Sequence, residues 1–133
     1  MAGPLIDRAN STYITPSLLS EAVVFEFVRR GSFEPNLVRI NELLKARRDA
    51  MLSALEKQFS GAAWSKPEGG YFIWLELPED MNAKEVLDRA EGVTAVLGTD
   101  FGGADNTIRL AYSFVSPEEI DEGVARLASA ASA

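Results

Sequence analysis

The sequence predicts an α+β fold: a small, mainly antiparallel sheet with helices packed on one face, preceded by two helices. Three observations predict it. Between Asn106 and Phe114 apolar residues alternate with small or polar ones, the period of a strand with one face in a core. From Leu37 to Phe59 the apolar residues Leu37, Ile40, Leu44, Met51, Leu55 and Phe59 recur at helical spacing. After Gly69 the segments run strand, helix, strand, strand, helix, an order that gathers helices on one side of a sheet.

Met1 to Asn10 has no clear periodic pattern and reads as a lead-in. Thr15 or Ser17 then caps a helix running to about Arg30, with Pro16 tolerated in its first turn. Its apolar positions Leu18, Leu19, Ala22, Val23, Phe25, Phe27 and Val28 are too many for one narrow stripe, so this helix wants neighbours on more than one side. Gly31 ends it, and Glu34-Pro35-Asn36 opens the longer helix that reaches about Phe59. Arg39, Lys45, Arg47, Arg48 and Asp49 supply its polar faces, and its basic residues read as a solvated surface rather than an anion site.

Gly61 to Gly70 reads as a connection, followed by a strand from Tyr71 to Leu77 that Pro78 closes. Asn82 with Glu85 forms a capping-box pattern opening a short helix to about Glu91; Gly92 stops it, and Val93 to Leu97 is a second, short strand. A glycine-rich loop, Gly98 to Asp105, leads to the strand Asn106 to Phe114. Ser116-Pro117-Glu118-Glu119 combines an N-cap, a proline at the first helical position and a glutamate at the third, starting a helix to about Ala130. No internal repeat is present.

Composition narrows the function. With 133 residues, 47% of them apolar, the chain can bury the core of one domain, with or without an appendage. A net charge of −7 without a basic stripe argues against nucleic acid as a partner. The absence of cysteine and histidine removes disulfides, thiolate nucleophiles, ordinary zinc sites and histidine acid–base chemistry. There is no apolar run of membrane length and no signal-peptide pattern, so the expected location is cytoplasmic and no membrane contact is expected.

Arg109 is the residue that asks for a ligand. Alternation places Ile108, Leu110, Tyr112 and Phe114 on the core face and Arg109 on the other, with Thr107, Ala111 and Ser113. A guanidinium among small side chains has room for a planar anion; a solvated sheet face explains the same pattern without one. The run Gly98-Thr99-Asp100-Phe101-Gly102-Gly103 lacks the lysine of a phosphate loop and precedes no helix, so it reads as a flexible, hairpin-like connection. Glu76, Glu79, Asp80, Glu118 and Glu119 sit at strand ends and helix starts, where capping and the helix dipole account for them better than a metal or an acid–base pair.

Taken together, Pro67-Glu68-Gly69-Gly70-Tyr71-Phe72-Ile73-Trp74-Leu75, then Val93 to Phe101, then Asn106 to Phe114 and the Ser116-Pro117-Glu118-Glu119 helix start resemble the carboxy-terminal part of class I/II aminotransferases. These are fold type I, pyridoxal-phosphate-dependent enzymes, and the resemblance is to the branch holding 2-aminoadipate aminotransferases and the aminotransferase-like domains of MocR-type regulators. It covers nearly the whole chain. The resemblance implies that residues 1–35 are a lead-in and helix of the inter-domain and dimer region, and residues 36–133 the aminotransferase small domain. It implies that Arg109 binds the α-carboxylate of an amino acid or 2-oxo acid, that Tyr71 and Phe72 line the substrate side, and that Tyr13 and Thr15 lie in a loop approaching the partner subunit's cofactor.

Two departures qualify these implications. Leu97-Gly98-Thr99 stands where many relatives have a proline before the glycine. The family's Schiff-base lysine motif lies upstream of the matched region, and Lys45, Lys57, Lys66 and Lys84 sit in no such motif. The resemblance therefore implies pyridoxal phosphate in the complete enzyme, none bound by this chain alone, no transamination by the isolated chain, and a large aminotransferase domain as its missing partner. Two further readings stand beside this one: the effector-binding or oligomerisation part of a MocR-like regulator, and a ligand-free remnant that self-associates. The apolar helix Pro16 to Arg30 favours a homo-oligomer in each, with exchange of that helix as one route.

Overall fold

The structure is a computed structural model that describes residues 2–133. The chain divides into two compact units, Met1–Ile40 and Asn41–Ala133.

In the first unit, α1 (Ala2–Thr12) and α2 (Leu18–Arg29) precede the start of α3 (Phe33–Gln58), which continues into the second unit. The stretch read as an aperiodic lead-in is therefore a helix. Leu5 to Ala9 are ordinary helix residues, and Pro4 falls in the first turn, where no N–H is missed. Ser11 and Thr12 hydroxyls donate to the carbonyls of Asp7 and Arg8 at 2.5 and 2.9 Å, satisfying groups of the last turns. Ser17 occupies the N-cap position of α2 without a side-chain bond, so Pro16 precedes the helix rather than entering its first turn. No residue of α2 is buried, and Leu18, Leu19, Val23, Val24 and Phe25 are all exposed.

The second unit holds a four-stranded, fully antiparallel sheet in the order β1-β2-β4-β3: β1 is Ala63–Trp64, β2 Phe72–Glu76, β3 Val96–Leu97 and β4 Thr107–Ala111. The architecture is the α+β arrangement expected. Strand β1 lies inside the segment read as a plain connection, because two paired residues, Ala63 opposite Glu76 and Trp64 opposite Leu75, are too few to show a period. Helix α4 (Ala83–Arg89) starts where Asn82 accepts from the backbone N–H groups of Lys84 and Glu85, and α5 (Pro117–Ala131) closes the chain.

One sheet face makes the core. Ile73, Leu75 and Leu77 from the β2 side and Ile108, Leu110 and Tyr112 from the β4 side pack with Met51 and Leu55 of α3, Val86 of α4, and Ile120, Val124 and Leu127 of α5. Phe114 does not join them and is 91% exposed. Pairing stops at Ala111, and Arg47 of α3 donates to the carbonyls of Ser113 and Phe114 at 2.5 and 3.3 Å, so the chain leaves strand geometry before alternation could bury that ring.

Helix α5 begins with a reciprocal box. The Ser116 hydroxyl accepts from the Glu119 N–H at 3.2 Å, and the Ser116 N–H donates to Glu119 Oε2 at 2.7 Å. The Ser116 N–H, and after it the Ser116 hydroxyl, holds the Glu119 carboxyl below its ordinary value. A depressed folded-state pKa stabilises the fold above the unfolded-state pKa, and that contribution disappears as pH falls through the lowered value. Ser116→Ala is expected to cost about 1 kcal/mol at neutral pH. Glu119→Gln is expected to flatten the loss of stability below the ordinary carboxylate range, read from urea midpoints at a series of pH values; an acid limb identical to wild type contradicts this assignment.

Candidate functional site

Strand β4 carries Arg109 on the face turned away from the core, opposite Trp74 of β2 and Val96 of β3. Phe72, opposite Ala111, shares that face two residues before Trp74. Its ring lies 4.1 Å from the Arg109 guanidinium carbon.

The glycine-rich segment brings a second ring to the guanidinium. Gly98–Phe101 forms a single 3-10 turn ended by Gly102 in the left-handed region at φ 77°, and the Gly103 N–H donates to the Gly98 carbonyl at 2.9 Å. This turn lies directly on the sheet. A Cβ on Gly98 would stand 1.9 Å from Thr107 Oγ1 and 2.9 Å from Trp74 Cζ2; one on Gly103 would stand 2.6 Å from the same Trp74 carbon. Thr107 Oγ1 donates to the Ala104 carbonyl at 2.6 Å, pinning the far end. The segment is thus a packed turn rather than a flexible connection, and it delivers Phe101 to 4.3 Å from the Arg109 guanidinium carbon.

Arg109 has no hydrogen-bond or salt-bridge partner among the described residues, and its Nε is buried and unpartnered. Other arginines of this unit are engaged: Arg48 with Asp49 and the Pro67 carbonyl, Arg126 with Glu122 and the Glu91 carbonyl. A cation stacked between two rings, on a face with no carboxylate near enough to pair, is equipped to take an anion from outside.

Of the residues named from the sequence, the structure brings Arg109 and Phe72 together. Tyr71 is half exposed and meets Phe72 edge-on, with ring centroids 6.3 Å apart. Tyr112 anchors the turn before it, donating its hydroxyl to the Gly70 carbonyl at 2.9 Å; burial pushes that hydroxyl up from its ordinary value, with Arg48 pulling the other way. Tyr13 and Thr15 belong to the first unit, exposed, on either side of Ile14, whose φ of 62° is unusual for a β-branched residue. Phe101 is the residue that sequence reasoning missed. Its signal was the glycine pair at 98 and 103, which permits close approach as well as a flexible turn.

The lysines do not fit a covalent cofactor. Lys45, Lys57, Lys66 and Lys84 are all exposed, and Lys84 pairs with Asp88 at 2.5 Å, which raises its pKa above the ordinary value. A Schiff-base lysine needs the opposite, an ammonium made easy to deprotonate. Among the described residues no group of acidic side chains could hold a metal ion, and no helix is long and apolar enough to cross a membrane.

Fold and site together define a small α+β domain whose open sheet face presents Arg109, flanked by aromatic rings and without a polar partner among the described residues. Residues 5–127 match the family described as aminotransferase class I and II, and the chain belongs to that family. It is 39% identical over 124 residues to aromatic-amino-acid aminotransferase 1 of Thermococcus litoralis, covering 89% of this chain and 30% of that protein. It is 34% identical over 116 residues to the HTH-type transcriptional regulator NorG of Staphylococcus aureus, covering 84% of this chain and 26% of that one. Among solved structures it is similar to the α-aminoadipate aminotransferase of Thermus thermophilus complexed with N-(5'-phosphopyridoxyl)-L-leucine: TM-score 0.87, 32% identity, 95% of this chain and 34% of that one. The chain spans about a third of the length of the curated relatives it matches.

Proposed function

We propose that this chain serves as the small, carboxy-terminal domain of a pyridoxal-phosphate-dependent aminotransferase, and that Arg109 binds the α-carboxylate of an amino acid or 2-oxo acid. The observation that carries the reading is the Arg109 guanidinium held between Phe72 and Phe101 with no acidic partner. The family membership supports it. Pyridoxal phosphate supplies the electron sink of such enzymes, and its lysine would come from the large domain, since none of the four lysines here is suitably placed. This domain contributes binding and orientation.

Residues 36–133 are the small domain in this reading, and residues 1–35 belong to the inter-domain and dimer region. The exposed apolar side chains of α2 are then covered by the large domain or a second subunit, and Tyr13 and Thr15 approach the partner subunit's cofactor. Tyr71 and Phe72 line the substrate side.

A cofactor test on the purified chain checks the reading. Pyridoxal phosphate followed by borohydride is expected to leave no stoichiometric adduct at Lys45, Lys57, Lys66 or Lys84, and amino acids are expected to change no visible band. One fully labelled lysine with an amino-acid-dependent spectrum would mean that the chain builds its own catalytic centre. The similarity to NorG favours a second reading, the effector-binding or oligomerisation part of a regulator. A winged helix-turn-helix encoded directly upstream selects the regulator; a large aminotransferase domain there selects the enzyme.

A further inference from the structure

We propose that Phe101 is a positioning residue for Arg109: with Phe72 it holds the guanidinium between two rings, so that an incoming carboxylate meets only the terminal Nη1–Nη2 edge. The proposal rests on the carboxylate reading of Arg109 given above. The guanidinium carbon lies over both rings, 4.1 Å from the Phe72 ring centre and 4.3 Å from that of Phe101, so two aromatic faces crowd one cation. Its Nε is buried without a partner, so the side-on edge is closed to a ligand. The edge that is left offers two parallel N–H donors, the match for a planar carboxylate.

Core packing does not explain where Phe101 sits. Phe101 is 54% exposed and takes no part in the hydrophobic core. What it gains is the cation, and the chain reaches it only because Gly98 and Gly103 let the turn settle on Thr107 and Trp74. A free arginine side chain loses rotamer entropy when a ligand orders it. A stacked one has lost it beforehand, so the ligand binds tighter for the same two hydrogen bonds.

Side-chain NMR of the ¹⁵N-labelled 133-residue chain tests this, with the Arg109 Nε–Hε signal assigned by its loss in Arg109→Lys. In wild type this signal is expected upfield of the other arginines, from ring currents, with restricted nanosecond motion. Phe101→Leu is expected to move it toward the exposed arginines and to mobilise it, with the backbone spectrum kept; Phe101→Tyr is expected to retain both properties. Propionate, the probe, is expected to bind wild type in the millimolar range and Phe101→Leu about fivefold more weakly.

An Arg109 signal as mobile in wild type as that of the exposed Arg8 overturns the proposal without any variant. So does Phe101→Leu with unchanged mobility, or with unchanged propionate affinity. A rigid, ring-shifted Arg109 that ignores propionate instead overturns the carboxylate reading, and mobility in Phe101→Leu then decides the role of Phe101 alone.

Discussion

In the complete aminotransferase to which we assign this domain, Arg109→Leu is expected to raise the KM for the amino acid by about 100-fold or more, with cofactor binding unchanged. Removing the guanidinium deletes both hydrogen bonds to the carboxylate and leaves that anion facing Phe72, Trp74 and Phe101, which cannot solvate it. The carboxylate is not the reacting centre, so the direct loss is uniform binding, read in KM. A misplaced substrate also reacts more slowly, so kcat falls as well, by less. Arg109→Lys is expected to recover little, because a compact ammonium offers no planar fork and stacks poorly between two rings. The measurement is steady-state kinetics on both variants beside a spectral titration with pyridoxal phosphate. An unchanged KM in Arg109→Leu removes Arg109 from the substrate site; a lost cofactor spectrum instead gives it a different job.

How far such a site can be seen beforehand depends on which interactions hold it. Strand alternation placed Ile108, Leu110 and Tyr112 in the core and Arg109 opposite, because a two-residue period needs nothing beyond the chain itself. Ser116-Pro117-Glu118-Glu119 announced its helix for the same reason: a capping box is local. The readings that failed depend on distant residues. Phe114 continues the apolar alternation, yet Arg47, 66 and 67 positions away from the carbonyls it binds, draws the chain out of the sheet. Ala63–Trp64 is a strand only because Glu76 and Leu75 lie opposite. Glycines at 98 and 103 look alike in a flexible loop and in a turn pressed on a tryptophan; the indole that distinguishes the two cases, Trp74, is more than twenty residues earlier in the chain. The lead-in failed differently: α1 is 11 residues long with Leu5 and Ile6 as its large aliphatic side chains, too few repeats for a helical period to be read.

The turn that carries Phe101 gives the largest expected effect on stability. Gly98→Ala is expected to destabilise the 133-residue chain by about 3 kcal/mol, near the upper end for overpacking by one carbon. The added Cβ would lie 1.9 Å from Thr107 Oγ1, 2.7 Å from Thr107 Cβ and 2.9 Å from Trp74 Cζ2. None of these is the free end of a flexible chain. Thr107 is buried with its hydroxyl committed to the Ala104 carbonyl at 2.6 Å, and Trp74 is fixed in β2 by its backbone bonds to Ser65. Either the turn lifts off the sheet, taking Phe101 from Arg109, or Thr107 rotates and its hydrogen bond to Ala104 breaks. Gly102→Ala is the control. It has nothing within 4 Å and a φ of +77°, so it meets only the backbone penalty of the left-handed region, about 1 kcal/mol. Thr107→Ala on the Gly98→Ala background is expected to recover part of the loss, because the Oγ1 overlap disappears while the Cβ and indole contacts persist; the double-mutant cycle should show this as coupling. Urea midpoints of wild type, the three single variants Gly98→Ala, Gly102→Ala and Thr107→Ala, and the double variant measure all of it. A Gly98→Ala chain within about 0.5 kcal/mol of wild type would mean that the turn rests lightly on Trp74 and Thr107, and the arrangement that stacks Phe101 on Arg109 would lose its physical basis.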